Sequence, residues 1–118
     1  MLTMGSVVMG ASDVRRAAAF WMRALGYVPR DGEVEDDWTV LVPADGRGAA
    51  VSIGVSETPV QERPRVHLDL YATDQAAEVE RLIALGAERV EWALYADDAD
   101  YVVLADTEGN RFCVIDKG

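Results

Sequence analysis

The chain has very few of the residues that form covalent cross-links or metal clusters. Its 118 residues include one cysteine, Cys113, and one histidine, His67. A single cysteine excludes an internal disulfide and a zinc cluster built on cysteines. Free thiols of this kind are typical of a reducing compartment, so we expect a cytoplasmic protein.

Long apolar runs and positive charge are also lacking. No stretch approaches the ~20 apolar residues that a membrane helix needs. Residues 1–10 have no basic region of the kind that opens a signal peptide. The chain has 11 Lys and Arg residues against 21 Asp and Glu residues, a net charge of −10. Because phosphate binding needs a positive surface, we expect no nucleic acid and no anionic membrane among its partners.

The acidic residues are concentrated in two segments, 31–37 and 97–100. Such segments are commonly solvated loops that keep a protein soluble. The alternative is an acidic rim that favours a cationic ligand. The sequence leaves both interpretations open.

Apolar periodicity predicts a single domain made of two similar halves. In the first half, Asp13 precedes a run with helical spacing that ends at Gly26. In the second, Asp74 precedes a similar run, with Ala76 predicted on its buried face and Gly86 at its end. Strands are predicted at 2–11, 27–29, 38–42, 49–55, 65–72, 88–92, 101–105 and 111–115.

The two halves are offset by about 61 residues, which indicates an internal repeat. Each half reads strand, helix and three strands: module one spans 1–56, a Pro-containing linker spans 57–64, and module two spans 65–118. The predicted fold is therefore α+β, two βαβββ modules whose mixed sheets form a cup with the helices outside.

This arrangement resembles the vicinal oxygen chelate superfamily, which includes glyoxalase I, extradiol dioxygenases and bleomycin-resistance proteins. The resemblance covers the whole chain and is most specific in four segments, 18–27, 67–70, 85–87 and 105–114. The last segment contains the Asp-x-x-Gly-Asn turn from Asp106 to Asn110, and with the His-Leu-Asp strand it looks most like small bacterial glyoxalase-like domains. The resemblance implies a homodimer and a cavity for a small molecule, and the linker permits swapped or unswapped pairing.

Enzymes of this superfamily hold a divalent metal through His, Gln or Glu. Carried over to this chain, the ligand positions fall on Ser6, His67 and Cys113, with Ala50 or Ser52 as the fourth. Mg, Mn and Fe(II) prefer carboxylate and imidazole, so we expect that the inherited metal site is lost and that no cofactor is bound. A rebuilt site of His67, Asp69 and Cys113 is the alternative, although Asp69 lies about 7 Å further along an extended strand.

The strand around His67 alternates, with His67, Asp69 and Tyr71 on one face. The imidazole is either a neutral group hydrogen-bonded to a neighbour such as Asp69, a group that orients a ligand, or a general base. Cys113 is either a small buried hydrophobe or a nucleophile paired with His67. Nothing near Cys113 in the sequence is electropositive, so we expect no lowered thiol pKa.

Aromatic residues next to acidic segments are suited to a flat or cationic organic molecule, although core or dimer packing is the alternative. We therefore expect a metal-independent small-molecule-binding protein of the glyoxalase and bleomycin-resistance type that sequesters a cationic or aromatic natural product. The second hypothesis is a lyase or isomerase related to glyoxalase I, and the third is a structural module with a filled cavity. The catalytic residues are unknown, and the predicted ligand-binding residues are His67, Asp69, Trp38, Trp92, Tyr101, Ser6 and Cys113.

Overall fold

The computed structural model describes residues 1–118. The chain forms two compact units, Met1–Pro59 and Val60–Gly118, and the boundary between them falls inside the predicted linker. Each unit contains one helix and one four-stranded mixed sheet. This confirms the predicted α+β class.

The first unit consists of β1 (Ser6–Ala11), α1 (Val14–Leu25), β2 (Tyr27–Pro29), β3 (Trp38–Pro43) and β4 (Ala50–Val55). Its sheet has the order β1-β4-β3-β2, with β1 parallel to β4 and the other pairs antiparallel. The strand that contains Pro29 lies at the sheet edge, where proline's missing N–H removes no bond from the interior of the sheet.

The second unit repeats this arrangement with β5 (Leu68–Ala72), α2 (Gln75–Ala84), β6 (Glu88–Arg89), β7 (Tyr101–Ala105) and β8 (Arg111–Asp116). Its strand order is β5-β8-β7-β6, with β5 parallel to β8. The same element order and the same strand order in both units confirm the internal repeat.

Both helices begin as predicted, because a short carboxylate accepts a backbone N–H in the first turn. The Asp13 side chain accepts from Arg16 N–H at 3.0 Å, and the Asp74 side chain accepts from Ala77 N–H at 3.1 Å. Gly26 ends α1 with φ 70°, in the left-handed region that favours glycine.

The apolar side of α1 is buried, whereas the predicted packing face of α2 is partly wrong. Trp21 is 1% exposed and forms the core of the first unit with Val14 and Phe20. In α2, Val79 and Leu82 are buried, but Ala76 is exposed. The face begins instead at Gln75, whose amide donates to two backbone carbonyls, those of Asp100 and Val114.

Four strands are shorter than predicted: β1 begins at Ser6, β4 at Ala50 and β5 at Leu68, and β6 ends at Arg89. In proportion to its length the loss is largest in β6, which pairs with β7 only through Glu88 and Arg89. Beyond that point the Val103 N–H of β7 donates to the Tyr95 hydroxyl at 2.8 Å. A side-chain oxygen thus replaces the strand partner, and the chain is free to leave the sheet as a loop.

The Asp-x-x-Gly-Asn segment forms the turn between β7 and β8. Asp106 is 3% exposed, and its carboxylate accepts the backbone N–H groups of Glu108 and Asn110, each at 2.9 Å. Gly109 has φ 91°. The Asp-x-x-Gly-Asn motif therefore stabilises a turn, and none of its residues lines the cavity described below.

Neither helix has the length and apolar content that crossing a bilayer requires.

Candidate functional site

The candidate site lies on one face of the second sheet. Strand register places Asp69 beside Cys113, and Tyr71 beside Ile115, with Tyr101 on the far side of Ile115. Because side chains alternate along a strand, these five residues share a face. The predicted alternation in β5 is confirmed: Asp69 and Tyr71 on one face are exposed, and Leu68 and Leu70 on the other face are half-buried.

This face borders a cavity of about 410 Å³. The loop after β6 provides one wall through Trp92 and Asp100. His67, which precedes β5, and Lys117, which follows β8, provide the ends. The lining residues are His67, Asp69, Tyr71, Trp92, Asp100, Tyr101, Cys113, Ile115 and Lys117. Five of the seven residues predicted from sequence are among them.

The floor of the cavity is apolar. Val103, Cys113 and Ile115 form a buried cluster, with Val90, Trp92 and Tyr101 packed against it. Tyr101 also packs against Tyr95, with ring centroids 5.2 Å apart. The Tyr95 hydroxyl also accepts a hydrogen bond from the Val103 N–H of β7. The ring contact and this hydrogen bond together hold the loop that carries Trp92 against the sheet.

His67 contacts Asp69 directly, with Nε2 and Oδ1 2.8 Å apart. Their strand positions suggested a gap of about 7 Å, but His67 precedes β5, and the two side chains reach each other. Of the open interpretations of His67, the structure shows the hydrogen bond to a neighbour. The side chains remain 40% and 53% exposed, so a ligand could reach both.

Cys113 completes a cluster with these two residues, since the three potential ligand atoms lie within 4.8 Å of one another. Burial, and then the negative charge of Asp69, raise the pKa of the Cys113 thiol from its ordinary 9.0 to about 11. The thiolate is the nucleophilic form. At neutral pH this cysteine therefore behaves as a small hydrophobe, consistent with one of the two sequence interpretations.

Lys117 is a cavity residue that sequence reasoning missed. Its ammonium lies over the Tyr71 ring, 4.9 Å from the centroid. Two signals were available in the sequence: it is the only lysine, and it continues the alternation of Cys113 and Ile115 beyond β8. Neither distinguishes a cavity residue from a solvated one without the register of β8 against β5.

Ser6 and Trp38 lie in the first unit and do not line this cavity. The Ser6 hydroxyl is 2.6 Å from the Ser52 hydroxyl. Trp38 is 45% exposed and lies close to Gly54, where an added Cβ would meet the indole ring at 3.0 Å. Their role in ligand binding stays a prediction.

The two acidic segments differ in their contacts. In the first, Asp36 pairs with Arg15 of α1, and Asp31 pairs with Arg30. In the second, Asp100 lines the cavity, while Asp97 and Asp98 are exposed.

Comparison with known families bears directly on this fold and site. The model of the glyoxalase-like domain family matches residues 6–115, nearly the whole chain. The chain belongs to the glyoxalase-like domain family. Together with the same strand order in both sheets, this confirms the predicted resemblance to the vicinal oxygen chelate superfamily.

Solved structures share the fold at low sequence identity. A glyoxalase/bleomycin resistance protein/dioxygenase family enzyme from Burkholderia phytofirmans is 18% identical, with 98% of each chain covered and a TM-score of 0.74. A glyoxalase-related enzyme from Fulvimarina pelagi is 15% identical, covering 99% of this chain and 89% of that one, with a TM-score of 0.70.

A mutant of the fosfomycin resistance protein FosX from Listeria monocytogenes, complexed with Mn(II) and a dihydroxypropylphosphonic acid, is 15% identical. That likeness covers 100% of this chain and 94% of FosX, with a TM-score of 0.73. No curated protein matches the sequence.

The superfamily implies a divalent metal, and the inherited positions of this glyoxalase-like domain fit one poorly. Ala50 offers no donor atom, and the hydroxyls of Ser6 and Ser52 bond to each other. No inherited position carries a carboxylate, the donor that Mg and Mn prefer. Only His67 and Cys113 remain, and the third donor beside them, Asp69, is not at an inherited position.

Proposed function

We propose that this glyoxalase-like domain is a metal-independent small-molecule-binding protein, similar in type to the bleomycin-resistance proteins, whose guest is a cationic or aromatic natural product. The guest occupies the cavity on the second sheet. The observation that carries this proposal is the combination of an apolar floor, aromatic walls and carboxylates in one cavity of about 410 Å³.

The size and lining support this function. Ligand pockets are commonly 300–1,000 Å³ and mainly apolar, with a few polar groups that orient the guest. Here Trp92 and Tyr101 pack on the apolar floor, and their ring faces suit a planar guest. A structural module would instead fill this space with side chains.

The charges support a cationic group on the guest. Asp69 and Asp100 both line the cavity, and the whole chain carries a net charge of −10. An acidic cleft raises the local concentration of cations and speeds their association. Carboxylates beside aromatic rings bind an organic cation through both ion pairing and cation–π contacts.

Metal independence is supported by the donor atoms. The inherited positions lack carboxylates, the donors that Mg and Mn prefer, and offer one imidazole and one thiol. Asp69 and His67 are paired with each other. We extend the proposal to a homodimer located in the cytoplasm; light scattering on the purified protein tests the dimer, and cell fractionation tests the location.

The test is a titration of the purified protein with planar aromatic amines, followed by tryptophan fluorescence. Trp92 lines the cavity, so its emission should change on binding. The fluorescence change should disappear in Trp92→Phe. It should persist in Trp38→Phe, because Trp38 does not line the cavity. Absence of a response across a broad set of cationic and aromatic compounds contradicts the proposal.

A second function has one specific observation in its favour. The His67, Asp69 and Cys113 ligand atoms lie within 4.8 Å of one another, and a zinc ion accepts nitrogen, oxygen and sulfur donors. Such a site would leave a position for substrate, as in a lyase or isomerase related to glyoxalase I; without metal, His67 would serve as the base. Stoichiometric zinc in the purified protein, lost in His67→Ala, would favour this function over the one proposed.

A further inference from the structure

Building on the proposed function, we infer that the guest is amphoteric: besides its aromatic body and cationic group it carries an anionic group that binds the Lys117 ammonium. The cavity holds a cation as well as carboxylates. Lys117 and Asp69 both line it; Asp69 lies on β5, and Lys117 directly follows β8.

The environment of Lys117 differs from that of the four arginines that form ion pairs. Arg15, Arg30, Arg81 and Arg89 all form ion pairs with carboxylates. Lys117, the only lysine, forms no ion pair and lies over the Tyr71 ring. In a chain with 21 acidic residues, the one cation that lines this cavity is thus available to an anion from outside the protein.

The backbone holds Lys117 in place. Its N–H donates to the Ala72 carbonyl at 2.8 Å, which ties it to the end of β5. The neighbouring Asp116 carboxylate accepts the Gly118 N–H at 2.9 Å and is not among the cavity residues. Neither Asp116 nor Asp100, whose carbonyl accepts the Asp116 N–H at 2.7 Å, forms an ion pair with Lys117.

The separation of the two charges indicates the size of the guest. Tyr71, under the ammonium, and Asp69 are two residues apart on β5, about 7 Å along the strand. Ile115 and Cys113 form the apolar floor beside them. A single aromatic ring with a cation at one end and an anion at the other spans this distance.

Three compounds of one shape test the inference. They are 4-(aminomethyl)benzoate, with both charges; its methyl ester, with the cation alone; and 4-methylbenzoate, with the anion alone. Their affinities are measured from amide chemical shifts in ¹⁵N-labelled protein. We expect 4-(aminomethyl)benzoate to bind roughly three- to tenfold more tightly than the ester, because a charge-assisted contact is added.

Variants assign this preference to Lys117. Lys117→Met should remove the preference for the free carboxylate, and the cationic ester should bind at least as tightly as before because a like charge leaves the cavity. Lys117→Arg should keep the preference. The residue is exposed, so both variants should give the dispersed spectrum of the folded protein.

The outcomes separate this inference from the proposed function. Equal binding of the ester and 4-(aminomethyl)benzoate by the unaltered protein overturns the inference alone. A preference that survives Lys117→Met also overturns it. Binding of 4-methylbenzoate without binding of the ester supports the anion contact and contradicts the cationic guest. Failure of all three to bind overturns both.

Discussion

The Cys113 thiol should ionise only in strongly alkaline solution while the protein is folded. It is 8% exposed, and burial together with the Asp69 charge raises its pKa to about 11. At pH 8, a thiol with its ordinary pKa of 9.0 is about one-tenth thiolate, whereas one with a pKa of about 11 is about one-thousandth thiolate. Ionisation alone should therefore slow alkylation about a hundredfold.

The assay is the rate of iodoacetamide modification of the folded protein between pH 7 and 11. Burial also slows the reaction, but it lowers the rate at every pH and does not move the midpoint of the profile. We expect the rate still to be rising at pH 10. In Asp69→Asn the midpoint should move to lower pH, because one cause of the raised pKa is removed.

A profile that levels off near pH 8 to 9 would refute this reasoning. It would show that the thiol is accessible to water or lies near a positive charge, and the nucleophile hypothesis would regain support. Repeating the measurement with added zinc extends the test, because a metal-bound cysteine is deprotonated. Protection from alkylation at neutral pH, lost in His67→Ala, would favour the zinc-dependent alternative.

The same raised pKa predicts how stability changes with pH. The folded state keeps the Cys113 proton more tightly than the unfolded chain does. The associated stability is complete below pH 9, the unfolded pKa, and is lost as the pH rises through about 11. Two pKa units correspond to about 2–3 kcal/mol, so Cys113→Ala should lose less stability between these pH values in urea unfolding.

Substitutions at three further positions test the contacts that hold the turns and the loop of the second unit. Asp106→Ala should cost about 2–4 kcal/mol in urea unfolding, since it leaves two partly buried N–H groups without their acceptor. Asp106→Asn, which keeps one acceptor oxygen, should cost less, and equal effects of the two substitutions would contradict this explanation. Gly86→Ala should lower thermal stability by about 1–3 kcal/mol, because φ is 120° there and a new Cβ meets a Thr107 methyl at 3.0 Å. Tyr95→Phe should speed hydrogen exchange of the Val103 amide and cost about 1 kcal/mol, and an unchanged exchange rate would show that the hydroxyl does not hold the loop.

Local patterns were the best predictors of this fold. The helix starts at Asp13 and Asp74 and the helix end at Gly26 were correct, because capping depends on residues within one turn. The repeat offset correctly gave two equivalent sheets, since each half carries the same order of elements. The buried face of α2 was only partly correct, because Gln75 bonds to carbonyls 25 and 39 residues away.

The site was harder to predict than the fold. Period-two alternation placed His67, Asp69 and Tyr71 on one face, and all three line the cavity. Their contacts with one another depend on side-chain reach, so the pairing of His67 with Asp69 was left open and the gap was overestimated. Lys117 was missed because it becomes a cavity residue only through the pairing of β8 with β5.

The sequence by itself determined which segments form helices and strands, the twofold repeat, the absence of an internal disulfide and the family. The helices, strands and family follow from periodicity, caps and short motifs, which act over a few residues. The missing disulfide and the repeat follow from counting and comparing residues along the chain. Only the tertiary structure decided that the thiol is buried beside a carboxylate and that the single lysine lies over an aromatic ring at the cavity edge. Those properties arise from residues more than forty positions apart, and only strand pairing brings them into contact.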